Sequence, residues 1–238
     1  MPNTMTPYSV YSAGGLFTLH ELTVNVLLKK AVWERSHGKF ELVLPQSKEL
    51  RDTDRPDIAA YIRNTDLLQV VKADMMLARF DSVELDTGTV VEYMLAKFLG
   101  KPTVILRCDS RRLGSDLMDE PYNLMVKNWP RTVEVHVDSL IHYARTIADV
   151  RDMHGRGESY EKAIDNELKT VYQGIDDLAG KIIEGLEIVL KMKSPYPSDQ
   201  REMIYHLARF SPGSGFDELL TEKLVDEIVG ILKEKGTL

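Results

Sequence analysis

Residues 72–108 read KADMMLARFDSVELDTGTVVEYMLAKFLGKPTVILRC, and the pattern of this stretch decides the fold. Apolar runs at 75–80 and 103–107 have the length of buried strands. Between them, positions 88–99 carry apolar residues at three- and four-residue spacing, the period of a helix. Strand, helix, strand in that order is the unit of a parallel sheet joined by crossover helices. Outward from this unit the same alternation predicts strands at 9–13, 40–44 and 132–137 and helices at 19–36, 57–70 and 139–153. The expectation is an α/β fold with a doubly wound five-stranded parallel sheet.

Composition changes at 154–157, where HGRG reads as a loop, and the remainder reads as a C-terminal all-helical extension. Its first segment, about 159–191, carries one apolar stripe from Tyr160 through Leu168, Leu178 and Leu186 to Val189. Gly174, Gly180 and Gly185 each lower helix propensity by about 1 kcal/mol, so a helix broken at one of them stands beside a continuous one as a reading. Turns at 194–199 and 211–215 flank a short helix near 200–210, and a last helix is expected at 216–235. The domain reading is therefore 1–153 for the α/β domain and 154–238 for the helical extension.

The formal net charge of −7 argues against a surface that neutralises nucleic-acid phosphates or sits on anionic lipid, so neither a nucleic acid polymer nor a membrane is an expected partner. A lone cysteine, Cys108, leaves no intrachain disulfide and fits a reducing compartment. With no signal-peptide pattern and no membrane-length apolar run, a cytoplasmic location is expected. The six histidines lie scattered without metal-ligand spacing, and neither a metal nor an organic cofactor is called for.

In a doubly wound sheet the ligand lies beyond the carboxyl ends of the strands, so the chemistry is sought just after each one. After the first strand, Gly14 and Gly15 let a ligand approach the backbone and Phe17 offers a flat apolar face. The same glycines equally make a tight turn. Five carboxylates, Asp74, Asp81, Glu84, Asp86 and Glu92, fall around the third strand, where a solvated acidic face is the plain alternative. Glu92 lies in the early turns of a helix, where the dipole favours an anion by about 0.3 to 1 kcal/mol, as a carboxylate nucleophile requires. Asp74, beside Met75, Met76 and Leu77, is the candidate for a partly buried acid that retains its proton. Two carboxyls in unlike environments suit retaining glycosyl transfer. Asn123 is read either as a sugar contact or as a cap residue.

VYSAGGLF (10–17), LPQ (44–46), KADMMLARF (72–80), LDTGTVVEYMLAKFLGKP (85–102) and PYNLM (121–125) together resemble the nucleoside 2-deoxyribosyltransferase family in content and order. The resemblance covers about 8–150 and implies a flavodoxin-like sheet. It implies Glu92 as the nucleophile that forms a covalent 2-deoxyribosyl intermediate, Tyr11 as the residue that orients it, and Asp74 as the acid that protonates the departing base. It further implies Gln46 against the base, Asp86 on the sugar hydroxyls, and Asn123 with Met125 reaching the site of a neighbouring subunit, hence a homo-oligomer. Tyr93 and Met94 stand where many members have small residues, and the region after His154 has no counterpart.

The expected reaction is a double displacement that moves 2-deoxyribose between nucleobases, with 2′-deoxynucleosides and free nucleobases as partners. The alternatives are hydrolysis of the same bond, a 5′-monophosphate substrate, and a nucleoside-binding sensor without turnover. Against the monophosphate stands the lack of Arg or Lys in the segment 12–17.

Overall fold

The computed structural model describes residues 6–47, 56–111, 113–115, 118–154 and 159–238. Its elements run β1 (Tyr8–Ala13), α1 (Leu19–Arg35), β2 (Phe40–Val43), α2 (Ile58–Lys72), β3 (Met75–Arg79), α3 (Thr87–Phe98), β4 (Thr103–Arg107), β5 (Leu113–Ser115) and β6 (Met118–Glu120). They continue with β7 (Thr132–His136), α4 (Ser139–His154), α5 (Tyr160–Lys191), α6 (Arg201–Ala208), α7 (Phe216–Leu219) and α8 (Glu222–Glu234). Five strands form one all-parallel sheet in the order β2-β1-β3-β4-β7. This is the flavodoxin-like order, with its reversal of direction between β1 and β3.

Both faces of a parallel sheet must be covered, because crossover connections leave apolar residues pointing up and down from every strand. On one face Val10, Leu42, Leu77, Val104 and Leu106 pack beneath Leu28 and Val32 of α1 and Leu178, Ile182, Leu186 and Val189 of α5. On the other, Tyr11, Ala13, Met76, Ala78 and Ile105 pack beneath Val70 of α2 and Tyr93 and Ala96 of α3. A third cluster joins Leu67, Val71 and Leu99 to Ile204, Tyr205, Phe216, Val225, Ile228 and Leu232 of the last three helices. The extension is thus part of the core of the α/β unit, and core packing crosses the expected division at 153–154.

One reading of the extension is settled and one expectation needs correction. The 159–191 segment is one unbroken helix of 32 residues. Gly185 does not break it but lets it approach the sheet, since a Cβ there would meet Val104 at 3.2 Å and Val135 at 3.4 Å. Tertiary contact overrides the helix-propensity penalty. The final segment is two helices, not one: the Thr221 hydroxyl accepts from the Leu224 backbone N–H at 3.2 Å and starts α8 anew. A small antiparallel pair, β5–β6, stands apart from the main sheet between β4 and β7. The HGRG turn lies outside the described residues apart from its His154.

A buried polar network seals the amino edge of the sheet. Asp74, almost fully buried, accepts from Ser9 N and Oγ at 2.7 and 2.9 Å and pairs with Lys235 Nζ at 2.7 Å. Arg131 donates to the carbonyls of Gly100 and Thr237 at 3.1 and 3.0 Å, and Lys101 Nζ donates to Ala73 O at 2.6 Å and Tyr205 Oη at 3.1 Å. The extension is therefore fastened by polar as well as apolar contacts.

Two outcomes follow. Gly185→Leu should lower unfolding free energy by about 1–3 kcal/mol through overpacking against Val104, as read by urea denaturation. Burial lowers the Lys101 ammonium to about 7, so between there and the ordinary lysine value the unfolded chain binds the proton and the folded one does not. Stability from this group then rises with pH across that window and is lost as pH falls to about 7. Comparing wild type with Lys101→Met at the two ends of the window should show the wild type gaining relative stability at the alkaline end; a constant difference would refute the assignment.

Candidate active site

At the carboxyl side of the sheet, β1 and α3 bring two functional groups together. Tyr11 is fully buried on the α2/α3 face of β1, and its Oη donates to Glu92 Oε1 at 2.5 Å. Glu92 is half-buried and immediately precedes Tyr93, whose ring packs edge-on against Phe80 at 5.4 Å between centroids. Thr89, Tyr93 and Ala96 form the buried stripe that fixes the rotation of α3 and so aims Glu92 toward β1. Because Glu92 is the sixth residue of the helix, the dipole effect expected from its position has largely decayed there. The Tyr11 hydroxyl does the holding. Burial first, then the charge and hydrogen bond of Glu92, and last the charge of Asp66 push that hydroxyl well above the usual tyrosine range, so it remains a donor.

Asp86 is the N-cap of α3, its Oδ2 accepting from Thr89 N and Thr89 Oγ1, both at 2.7 Å. It lines a cleft that also contains Gly15, Phe17 and Arg79. Gly15 answers to a steric demand: the capping Glu21, which binds Thr18 and the Phe17 N–H, would lie 2.1 Å from a Cβ at that position. Phe17 is 79 % exposed at the rim. Gln46 sits in the 3₁₀ turn Pro45–Ser47 with Oε1 accepting from Asn25 at 2.7 Å and Nε2 donating to Leu22 O at 3.0 Å. Both ends of this amide are thus engaged with α1.

Asn123 caps the short 3₁₀ helix Leu124–Val126, accepting from Met125 N at 2.9 Å. That turn is fastened to α3 by Tyr93 Oη on Val126 O at 3.0 Å, and Met125 stands 77 % exposed.

Asp74 does not join this group. It precedes β3, whereas the cleft follows Arg79, and at about 3.3 Å per residue the strand separates the two by roughly 16 Å. Its ion pair with Lys235 and its bonds to Ser9 and Thr237 make it a structural carboxylate at the amino edge. Burial next to Met75 was a correct reading from the sequence, but a parallel strand has two ends and Asp74 is on the wrong one.

Two residues at the site escaped the sequence reading. Asp66, half-buried on α2, lies near enough for its charge to raise the Tyr11 hydroxyl. Its signal was an acid directly before Leu67, on the margin of the inward stripe of a predicted helix. Arg79 supplies a cation to the first loop from β3: it donates to Gly15 O at 2.9 Å and Asn25 Oδ1 at 2.6 Å, and its Nε is 3.5 Å from Asp81. The loop therefore does have an arginine against it, although one already paired. Burial raises the Asp81 carboxyl, opposed by bonds from the Cys108 and Asp109 N–H groups and by the charge of Arg79. Among the described residues no group of three or more His, Cys, Asp or Glu is arranged to hold a metal ion, and no helix is long and apolar enough to cross a membrane.

A family model described as nucleoside 2-deoxyribosyltransferase matches residues 10–125. Similar solved structures include a conserved protein from Enterococcus faecalis V583 at 23 % identity, covering 55 % of this chain and 92 % of that one with a TM-score of 0.42. A 2-deoxyribosyltransferase from Bacillus psychrosaccharolyticus is 15 % identical, covering 65 % and 95 % with a TM-score of 0.43. A CMP N-glycosidase from Clostridium botulinum is 14 % identical, covering 60 % and 99 % with a TM-score of 0.37. No curated protein matches the chain.

Replacing Asp74 by Ala should cost about 3–5 kcal/mol of stability by stranding Lys235, measured by denaturation. The folded variant should keep its turnover rate; a selective loss of rate in fully folded protein would return Asp74 to the chemistry.

Proposed function

Because residues 10–125 belong to the nucleoside 2-deoxyribosyltransferase family, we propose that this chain moves the 2-deoxyribosyl group between nucleobases through a covalent intermediate on Glu92. The observation that carries the proposal is the 2.5 Å hydrogen bond from buried Tyr11 to Glu92, which holds one carboxylate oxygen and orients the other for attack. In the first half-reaction Glu92 bonds to C1′ as the N-glycosidic bond breaks and the base departs with a proton. Asp66, the acid whose charge reaches Tyr11, is the donor assigned here. In the second, an incoming base attacks C1′ from the face the first one left and gives its ring N–H proton to the Asp66 carboxylate, the Glu92 ester bond breaks to return the carboxylate, and the configuration is restored by the two inversions.

Asp86 is assigned to the sugar hydroxyls and Phe17 to the wall of the nucleoside cleft, which both line with Gly15; Gly14 is assigned to close backbone approach beside it, and Gln46 to the base, which it would meet only with hydrogen-bonding capacity beyond its two bonds to α1. Exposed Leu124 and Met125 beside Asn123 suit insertion into the cleft of a second copy of this chain, the arrangement the family implies.

The test is incubation with 2′-deoxyinosine, with and without free adenine, beside Glu92→Ala, Tyr11→Phe and Asp66→Ala. Deoxyadenosine should form with the wild type and not with Glu92→Ala. Tyr11→Phe should be slower by about ten- to a hundredfold, the worth of one hydrogen bond to a charged group. Asp66→Ala should be slower by about 10² to 10⁴, the usual contribution of a general acid. Free deoxyribose in both mixtures would make the protein an N-glycosidase, and base exchange by Glu92→Ala at the wild-type rate would end the covalent scheme.

A further inference from the structure

The cleft assigned to the nucleoside extends well beyond one. Its volume is about 980 Å³, at the upper end of the roughly 300–1,000 Å³ of sites for drug-sized ligands. Its lining includes Asp86 but neither Glu92 nor Gln46. Asp86 is the N-cap of α3 and Glu92 its sixth residue, so at 1.5 Å per residue about 9 Å of helix axis separates the two. With C1′ at Glu92, the sugar hydroxyls at Asp86 and the base at Gln46, the cleft opens beyond the hydroxyl end of the sugar.

From there it passes the carboxyl ends of β3, β4 and β7 at Arg79, Cys108 and Val137 and ends in the angle between α1, α4 and α5. That end is apolar, with Val24 and Leu28 of α1 facing Val171, Ile175 and Leu178 of α5. The α5 wall lies beyond residue 125, where the family match ends, so the extension supplies it. Gly174 leaves a gap in this wall: a Cβ there would meet nothing nearer than His142 at 3.7 Å, at a helical position where alanine would favour the helix more. The rim near the sugar carries Glu21, Asp81, Glu84, Asp86 and Asp109 against Arg79 and Arg111. Both guanidiniums are paired within it, Arg79 with Asp81 at 3.5 Å and Arg111 with Asp109 at 2.5 Å. A phosphate on the sugar would thus meet acids and no uncommitted guanidinium or ammonium among the described residues of the lining.

On the reading above of Asp86 at the sugar and Gln46 at the base, we infer that the extension sets the substrate class of this site: a 2′-deoxynucleoside carrying an uncharged, elongated apolar group on its 5′ carbon. A group at that position leaves C1′ open to Glu92 and the 3′-hydroxyl free to donate to Asp86. It takes no part in the bonds made and broken at C1′. Its burial against α1 and α5 supplies binding energy, and the acidic rim turns away a 5′-phosphate.

The test compares 2′-deoxyinosine, its 5′-monophosphate and 2′,5′-dideoxy-5′-hexylthioinosine. Binding is measured by calorimetry in the Glu92→Ala background, which removes turnover, and base exchange with adenine is followed in the wild type. The hexylthio compound should be exchanged and should bind at least about tenfold more tightly than 2′-deoxyinosine, and the monophosphate no more tightly than 2′-deoxyinosine. Val171→Asp puts a charge on the wall and Gly174→Leu a side chain in its gap; each should remove most of the difference between the two neutral ligands, with circular dichroism retained. Tyr172→Ser, at an exposed α5 position outside the lining, should leave that difference as it was. Exchange of 2′-deoxyinosine without tighter binding of the hexylthio compound would overturn this inference and leave the transfer reaction standing. Tighter binding of the hexylthio compound with exchange of none of the three would do the reverse. A monophosphate bound more tightly than the hexylthio compound, or a difference unmoved by both wall variants, would also overturn the assignment of the substrate class.

Discussion

A five-stranded parallel sheet has two apolar faces, and the molecule is organised by the need to cover both. The α2/α3 face is closed by helices from the repeating strand–helix units. The other face is closed only in part by a crossover helix: α1 covers the side near β2, and α5, from far along the chain, covers β4 and β7. Gly185 makes that possible by letting the α5 backbone settle against Val104 and Val135. The helical extension is therefore the second half of a layer and not an appendage, and the cleft between α1, α4 and α5 is the space this arrangement leaves unfilled.

The Tyr11–Glu92 pair inherits its geometry from the same packing. Tyr11 and Glu92 meet because β1 and α3 share one core cluster and the Tyr93 stripe fixes the rotation of the helix. The two ends of the sheet carry different chemistry. At the carboxyl end the side chains of Glu92, Asp86 and Arg79 gather around loops and a cleft. At the amino end, Asp74, Lys101, Arg131 and Lys235 bond to one another, to backbone carbonyls and to hydroxyls, and serve to hold the last helices in place.

Most of the sheet and its helices were legible because short continuous apolar runs of strand length alternate with segments of 3.6-residue period. The Tyr11–Glu92 pair was legible because two separate segments of the resemblance, 10–17 and 85–102, carry its two members. What the sequence did not disclose depended on distance in three dimensions. The helix-breaking reading of Gly185 missed a sheet that lies against it. Asp74 stood next to the right strand but at the wrong end, and Asp66 and Arg79 reach the first loop and Tyr11 from elements remote in sequence. The β5–β6 pair offered no apolar alternation strong enough to separate it from a loop.

The placement of α5 also sets the order in which the chain can fold during synthesis. The last sheet strand ends at His136, but the residues of α5 that cover it run to Val189, so 53 further residues must be made first (189 − 136). At about 5–20 residues per second this is an interval of about 3 to 10 s. Throughout it, Val10, Leu42, Leu77, Val104 and Leu106 have only α1 to cover them. The nascent sheet thus passes through a state with one apolar face half open, the stage at which chaperone capture or misassembly would compete with the native path.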